Sequence, residues 1–343
     1  MKKIAFLLSC CIIITACSNE QSTKTGFPDL SGTYIGQELP GDSAEFFAPG
    51  IVSTGIATRD IAISPDGNEL YFCISLGGFT YATILVCEQV NGKWTPPEIV
   101  SFCKNPDVIY FEPAFSWDGR RLYFLSTLAD GDEAVGDQDI WYVERSEDGW
   151  GEPVNLGEPV NTEHGEFYPS LTREGHLYFT RAELGGRINR IYRSRLVDGT
   201  YQEPELLPEN VNCGLNRFNA FISPDEDYII VPAMGMEDSY GGVDYYIIFR
   251  NETDQWSEPM NMGPSINSEA MQEWSPHVSR DGKVLFFMSN RVIEPDQTEW
   301  DYNKLLEIND KPGNGNSTIF WISAEIIEEL RSEARDFSQD TDH

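Results

Sequence analysis

The sequence predicts an all-β fold, a β-propeller of five four-stranded blades, and three observations predict it. One hairpin signature recurs five times at nearly constant spacing, and a second hairpin signature follows it inside each unit. The composition supplies material for a core, with 40% hydrophobic and 12% aromatic residues in 343. A unit of about fifty residues with four short strands has two faces to cover and cannot cover them alone, so radial stacking is the solution such repeats reach.

The first hairpin reads Ala62-Ile-Ser-Pro-Asp-Gly-Asn-Glu-Leu-Tyr-Phe72, then Ala114-Phe-Ser-Trp-Asp-Gly-Arg-Arg-Leu-Tyr-Phe124, Ser170-Leu-Thr-Arg-Glu-Gly-His-Leu-Tyr-Phe179, Phe221-Ile-Ser-Pro-Asp-Glu-Asp-Tyr-Ile-Ile230 and His277-Val-Ser-Arg-Asp-Gly-Lys-Val-Leu-Phe-Phe287. Its turn acids Asp66, Asp118, Glu174, Asp225 and Asp281 are 52, 56, 51 and 56 residues apart. Asp-Gly between two runs of period two marks a hairpin, glycine supplying the positive φ of a primed turn. The second hairpin turns at Asn91-Gly92 before Trp94, Asp148-Gly149 before Trp150, Asp198-Gly199 before Tyr201, and Asp254 before Trp256. Each unit thus holds strands A to D. The fifth has A (Trp274 to Ser279), B (Val284 to Met288) and C (Thr318 to Ser323), then a short charged helix from Ala324 to Arg331 in place of D. The segment Pro40 to Ser53 precedes the first A strand as Pro153 to Val160 precedes the third, so it is expected to close the ring as a "Velcro" strand. Six blades is the alternative, if the stretch before residue 50 and the 290–317 insert form further strands.

These motifs resemble the WD40-like (PD40, TolB-type) propeller repeat of bacterial envelope proteins over roughly residues 28 to 330. The resemblance implies a propeller serving as an interaction platform. Glu174 in place of Asp, Glu226 in place of Gly and the long insert of the last unit depart from the pattern.

At the start of the chain, Lys2-Lys3 and the apolar run Ile4 to Ile14 have the layout of a secretory signal, too short to span a bilayer. Ile14-Thr15-Ala16-Cys17 resembles a lipobox, which implies cleavage before Cys17 and its acylation. The expected organisation is a signal peptide at 1–16, a polar tether at 17–27, the propeller at 28–331 and a disordered acidic tail at 332–343. The location is a bacterial cell envelope, outer membrane favoured, periplasmic or surface-exposed. With 24 Lys+Arg against 56 Asp+Glu the net charge is -32. Such a chain neutralises no phosphate field, which excludes nucleic-acid binding. Cys73, Cys87, Cys103 and Cys213 have no zinc spacing and read as buried or free thiols.

Propeller geometry puts tight A–B and C–D turns on one face and the long connections on the other. Loops on a rigid scaffold carry function, so the long-loop face is the expected working face. Six positions before the turn acid stand Asp60, Glu112, Tyr168, Asn219 and Ser275; eight before it, Thr58, Tyr110, Glu166, Arg217 and Glu273. Seven before it, Arg59, Phe111, Phe167, Phe218 and Trp274 read as interblade core. The expected ligand-binding mouth is Arg59, Asp60, Glu112, Glu166, Tyr168, Arg217, Asn219, Glu273 and His277. It would take an envelope protein, peptide or glycan without catalysis, on a monomer. The alternative is a carbohydrate-active hydrolase or lyase using Asp60, Glu112 and Glu273, a chemistry needing two carboxylates at a set separation. No cofactor is required. Asp130, Asp132, Asp137 and Asp139 form an oxygen-rich loop where calcium could bind, although Trp141 at position twelve excludes an EF-hand.

Overall fold

The computed structural model describes residues 26–129, 135–294 and 300–340. They form a five-bladed propeller of antiparallel sheets. Blade 1 runs Ala57–Ile63, Glu69–Leu76, Tyr81–Val90, with Lys93–Trp94 and Glu98–Ile99 as a broken strand D. Blade 2 repeats this with Tyr110–Phe115, Arg121–Ser126, Asp139–Ser146, then Gly149–Trp150 and Val154–Asn155. Blade 3 has Gly165–Leu171, Leu177–Glu183, Ile188–Ser194 and Glu205–Leu206. In blade 4, strand A is the pair Asn216–Arg217 and Phe221–Ile222, followed by Tyr228–Met234, Asp244–Phe249 and Met260–Asn261. Blade 5 comprises Glu273–Val278, Val284–Ser289 and Thr318–Ser323, and its fourth strand is Glu45–Phe46, with Glu45 opposite Trp321 and Phe46 opposite Phe320.

The recurring Ser-x-Asp-Gly turn has a chemical cause. Ser64 Oγ donates to Asp66 at 2.6 Å and accepts the Glu69 amide at 2.9 Å, while the Asp66 carboxylate takes the Asn68 amide. Ser116 with Asp118 and Ser279 with Asp281 repeat the arrangement. These loops span six residues between Ile63 and the opposed Leu70, with positive φ at Gly67. They are therefore not the primed two-residue turns expected from Asp-Gly. Such turns occur in the C–D hairpins instead, where Asn91 and Gly92, and again Asp198 and Gly199, all have positive φ.

Among the described residues the buried apolar side chains gather in five clusters, one between each pair of neighbouring blades. The tyrosines of the first two Leu-Tyr-Phe strands reach the next blade's outer edge, and the third reaches the next blade's A–B turn: Trp150 donates to the Tyr71 hydroxyl at 2.9 Å, the Tyr201 and Tyr123 hydroxyls meet at 3.1 Å, and Tyr178 donates to Glu226 at 2.6 Å. Between blades 5 and 1 the N-terminal residues Ile35, Phe47, Ala48 and Val52 pack with Phe72, Trp94, Phe286 and Trp321.

Two stretches lie outside the four-stranded blades. The 290–317 insert carries a helix, Tyr302–Asn309, N-capped by Asp301, and no further blade strand among its described residues. The C-terminal helix spans Glu325–Asp340, extending through most of the stretch read as a disordered tail. An acidic first turn with Glu325 and Glu328 suits the positive end of the helix dipole. No described helix is long and apolar enough to cross a membrane. The four described cysteines are free thiols, and burial pushes Cys87 and Cys103 up to about 12.

Candidate functional site

The inner strands share one irregularity. Asp60, Glu112, Tyr168, Asn219 and Ser275, each six positions before its turn acid, all have φ between 50° and 59°. In blades 1, 2, 3 and 5 the A–B register shifts at this point, a β-bulge. Non-glycine residues pay for that backbone region, so a fivefold recurrence marks a position the ring requires.

The bulged side chains meet on the axis and close it. Arg59 is the centre, its guanidinium donating to Asp60 at 3.1 Å and to Glu112 at 2.8 Å, and reaching Ser275 Oγ at 3.4 Å. Glu112 also accepts the Tyr168 amide at 2.6 Å and the Asn219 side-chain amide at 3.2 Å. Asp60 accepts the Glu112 amide, and Tyr168 Oη donates to the Pro276 carbonyl at 2.7 Å. All of these groups are buried. Two carboxylates share one guanidinium, leaving a surplus negative charge in a desolvated place. Burial, reinforced by Asp60 and only partly offset by Arg59, pushes Glu112 up to about 7.

This plug divides the axial channel into two cavities. The one open to the long-loop face has a volume of about 300 Å³ and is walled by Phe79, Phe111, Phe167, Phe218 and Trp274, with Arg59 at its base. The Arg59 guanidinium carbon lies 4.8 Å from the Phe111 ring centre, 5.5 Å from Trp274 and 6.0 Å from Phe79. The other cavity, about 270 Å³, opens among the A–B turns; Asp60, Glu112, Tyr168 and His277 line it together with Trp117 and Arg280.

The nine expected mouth residues therefore separate into three groups. Arg59, Asp60, Glu112, Tyr168 and Asn219 form the plug, and His277 belongs to the cavity on the tight-turn side. Glu166, Arg217 and Glu273 lie inside their blades and not at the mouth. Glu166 holds the Thr162 amide and hydroxyl and pairs with Arg181 at 2.7 Å. Glu273 does the same with Ser268, Ser289 and Arg291. Arg217 is spent on the Cys213, Gly214 and Asn189 carbonyls. The cause is the bulge. It turns two successive residues toward the axis, so the column seven positions before the turn acid lines the channel instead of the interblade core, and the column eight before points into the blade. An arginine standing in a column of four aromatic residues was the available signal.

Asp60 and Glu112 share the plug, but Glu273 lies in a separate network, so the three acids do not converge. Of the calcium loop, Asp130 and Asp132 lie outside the described residues; Asp139 accepts the Asn155 side-chain amide at 2.8 Å. Among the described residues no group of three His, Cys, Asp or Glu is placed to hold a metal ion. The signal segment and Cys17 also lie outside the described residues.

No family model matches the chain, and no curated protein matches it. Solved structures similar to it include a protein assigned as TolB from Agrobacterium tumefaciens, at 15% identity over 78% of this chain and 90% of that one with a TM-score of 0.45. TolB from Acinetobacter baumannii is 12% identical over 78% of this chain and 57% of that one, with a TM-score of 0.43. The catalytic domain of a Coprinopsis cinerea GH62 α-L-arabinofuranosidase is 10% identical over 82% and 98%, with a TM-score of 0.47.

Proposed function

We propose that this protein is an exported, lipid-anchored propeller that binds an envelope protein, peptide or glycan without catalysis, through the aromatic cup on its long-loop face. The cup carries the reading: five aromatic rings surround a buried guanidinium and open toward the face where the long connections lie. Flat apolar rings with one fixed polar group offer stacking surface and orientation, which is what a pyranose face or an aromatic peptide side chain needs. The carboxylates support the same side of the question. Asp60 and Glu112 are engaged by Arg59 and by main-chain amides, and Glu273 is locked in blade 5, so none stands ready as acid, base or nucleophile. Residues 17–27 would tether the domain to the outer membrane through an acylated Cys17.

The test is a thermal-shift and turnover screen of the mature protein against oligosaccharides and envelope-protein peptides, with and without calcium. Trp274→Ala and Phe218→Ala are expected to weaken whichever ligand registers by tenfold or more while the fold persists. An intact mass should show a lipidated Cys17 at the N-terminus. Turnover of any glycan, or a ligand indifferent to both cup variants, would overturn the reading.

A further inference from the structure

The cavity at the opposite end of the axis carries a different set of groups. Its walls are the apolar faces of Ile61, Ala62, Phe115, Leu171 and Phe221, and its floor is the plug, whose lone pairs are taken up internally. Two polar side chains in it have no hydrogen-bond or ion-pair partner among the described residues. His277 makes only ring contacts, with Phe221 at 5.4 Å and Phe286 at 6.5 Å, and its imidazole nitrogens engage nothing. Arg280, at the rim three residues further along the same chain segment, lies over Trp117 with its guanidinium carbon 3.7 Å from the ring centre; Asp118 acts on it only through space, and no carboxylate among the described residues forms an ion pair with it. That is unusual here, because the chain has more than twice as many acids as bases. The rim acids are occupied by their own turns: Asp66 by Ser64 and Asn68, Asp281 by Ser279, Lys283 and the Tyr34 hydroxyl. Arg173, the other guanidinium on Trp117, is forked onto Asp225.

We propose that this cavity is a second ligand site, distinct from the long-loop cup, taking a small carboxylate with an apolar body. The carboxylate would accept from Arg280 at the rim, the apolar body would fill the bowl, and His277 would supply one hydrogen bond from the wall. Trp117 holds the guanidinium flat and in place before any ligand arrives, which limits the entropy lost on binding. Burial and the nearby Arg173, partly offset by Asp118, push the Arg280 guanidinium down from its ordinary value, the electrostatic condition that a bound anion relieves.

The experiment titrates the full mature chain with 3-phenylpropionate and, as its uncharged counterpart, 3-phenylpropanamide, by calorimetry. The acid is expected to bind saturably and at least tenfold more tightly than the amide. Arg280→Gln should cost the acid about tenfold or more and leave the amide unchanged, since a charged hydrogen bond is lost in one case only. Arg280 is exposed, so this variant keeps its fold, and a superimposable circular dichroism spectrum checks it. His277→Phe should weaken both ligands. Trp274→Ala, in the other cavity, should alter neither, which separates this site from the cup. Equal affinity for acid and amide, an unaffected Arg280→Gln, loss of binding in Trp274→Ala, or no saturation at about 10 mM each overturns the proposal.

Discussion

Arg59 shows how much one residue can decide. Three ring faces, two carboxylates and a serine converge on a guanidinium that is 6% exposed, and its charge is what lets Asp60 and Glu112 coexist without water. Replacing it by methionine keeps most of the volume and leaves two buried carboxylates uncompensated, a change that costs about 3–5 kcal/mol. The cost should depend on pH, and the sign follows from Glu112. Its carboxyl holds a proton more tightly folded, at about 7, than at the ordinary 4.5, so its contribution to stability is complete below 4.5 and is lost as pH rises through about 7. Without the guanidinium that preference for the proton strengthens. Urea melts of Arg59→Met and of the unmodified protein are therefore expected to differ most at pH 8 and much less at pH 5. An equal deficit at both values would mean that Glu112 does not take up the compensating proton. Comparing the two proteins at each pH also cancels the opposing acid-side loss from His277. Burial holds that imidazole down to about 4, and its stability contribution fades as pH falls from 6.5.

At the scale of elements, the repeat was legible wherever a local rule makes it. Leu-Tyr-Phe strands, Asn-Gly turns and the Ser-x-Asp-Gly loop each satisfy a nearby hydrogen-bonding or packing need, and the structure carries all of them. The bulge in strand A was not legible. It depends on five strands converging on one axis, and alternation read back from the turn along a single strand then assigns the side chains beyond the bulge to the wrong face. The D–A loops show the intermediate case. Asparagine is ordinarily a solvated turn residue, yet Asn161, Asn212 and Asn267 are buried and bind a strand-C residue at both its amide and its carbonyl. Asn212 accepts from the Ile191 amide at 2.8 Å and donates to the Leu207 carbonyl at 2.8 Å. Asn212→Ala should therefore cost about 2–3 kcal/mol, because it strands buried backbone groups. Asn105, exposed and with its side chain accepting from the Asp107 amide, is the internal control, and Asn105→Ala should stay within about 1 kcal/mol. Chemical denaturation of both variants checks this. Equal losses would remove the distinction between a loop lock and a loop residue.

For the whole molecule, the fifth unit's missing strand D is the organising problem. In sequence it showed as a helix where an outer strand belonged; in the structure Glu45–Phe46 occupies that place, next to Thr318–Ser323. Ser53 then supplies for blade 5 one of the two bonds the buried asparagines make elsewhere, its hydroxyl donating to the Ile319 carbonyl at 2.8 Å. The same segment contributes four buried apolar side chains between blades 5 and 1, and the Gly32 carbonyl that receives the Trp94 indole at 2.7 Å. If this segment is what closes the ring, deleting residues 28–53 leaves strand C of blade 5 as an open edge and uncovers Phe286 and Trp321. Burying four such side chains is worth roughly 6 kcal/mol or more, comparable with the roughly 5–15 kcal/mol by which a whole protein is held folded. The truncated chain should therefore melt far below the mature protein, or fail to remain monomeric by size-exclusion chromatography. Phe47→Ala is the milder companion, expected to cost about 3–5 kcal/mol without opening an edge. Adding the 28–53 peptide in trans should raise the truncated chain's melting temperature in a concentration-dependent way, since a segment that binds only the folded ring stabilises it by mass action. A truncated protein that melts with the intact one, and ignores the peptide, would show that blades 5 and 1 hold together through their own side chains and that the N-terminal strand is an ornament on a ring already closed.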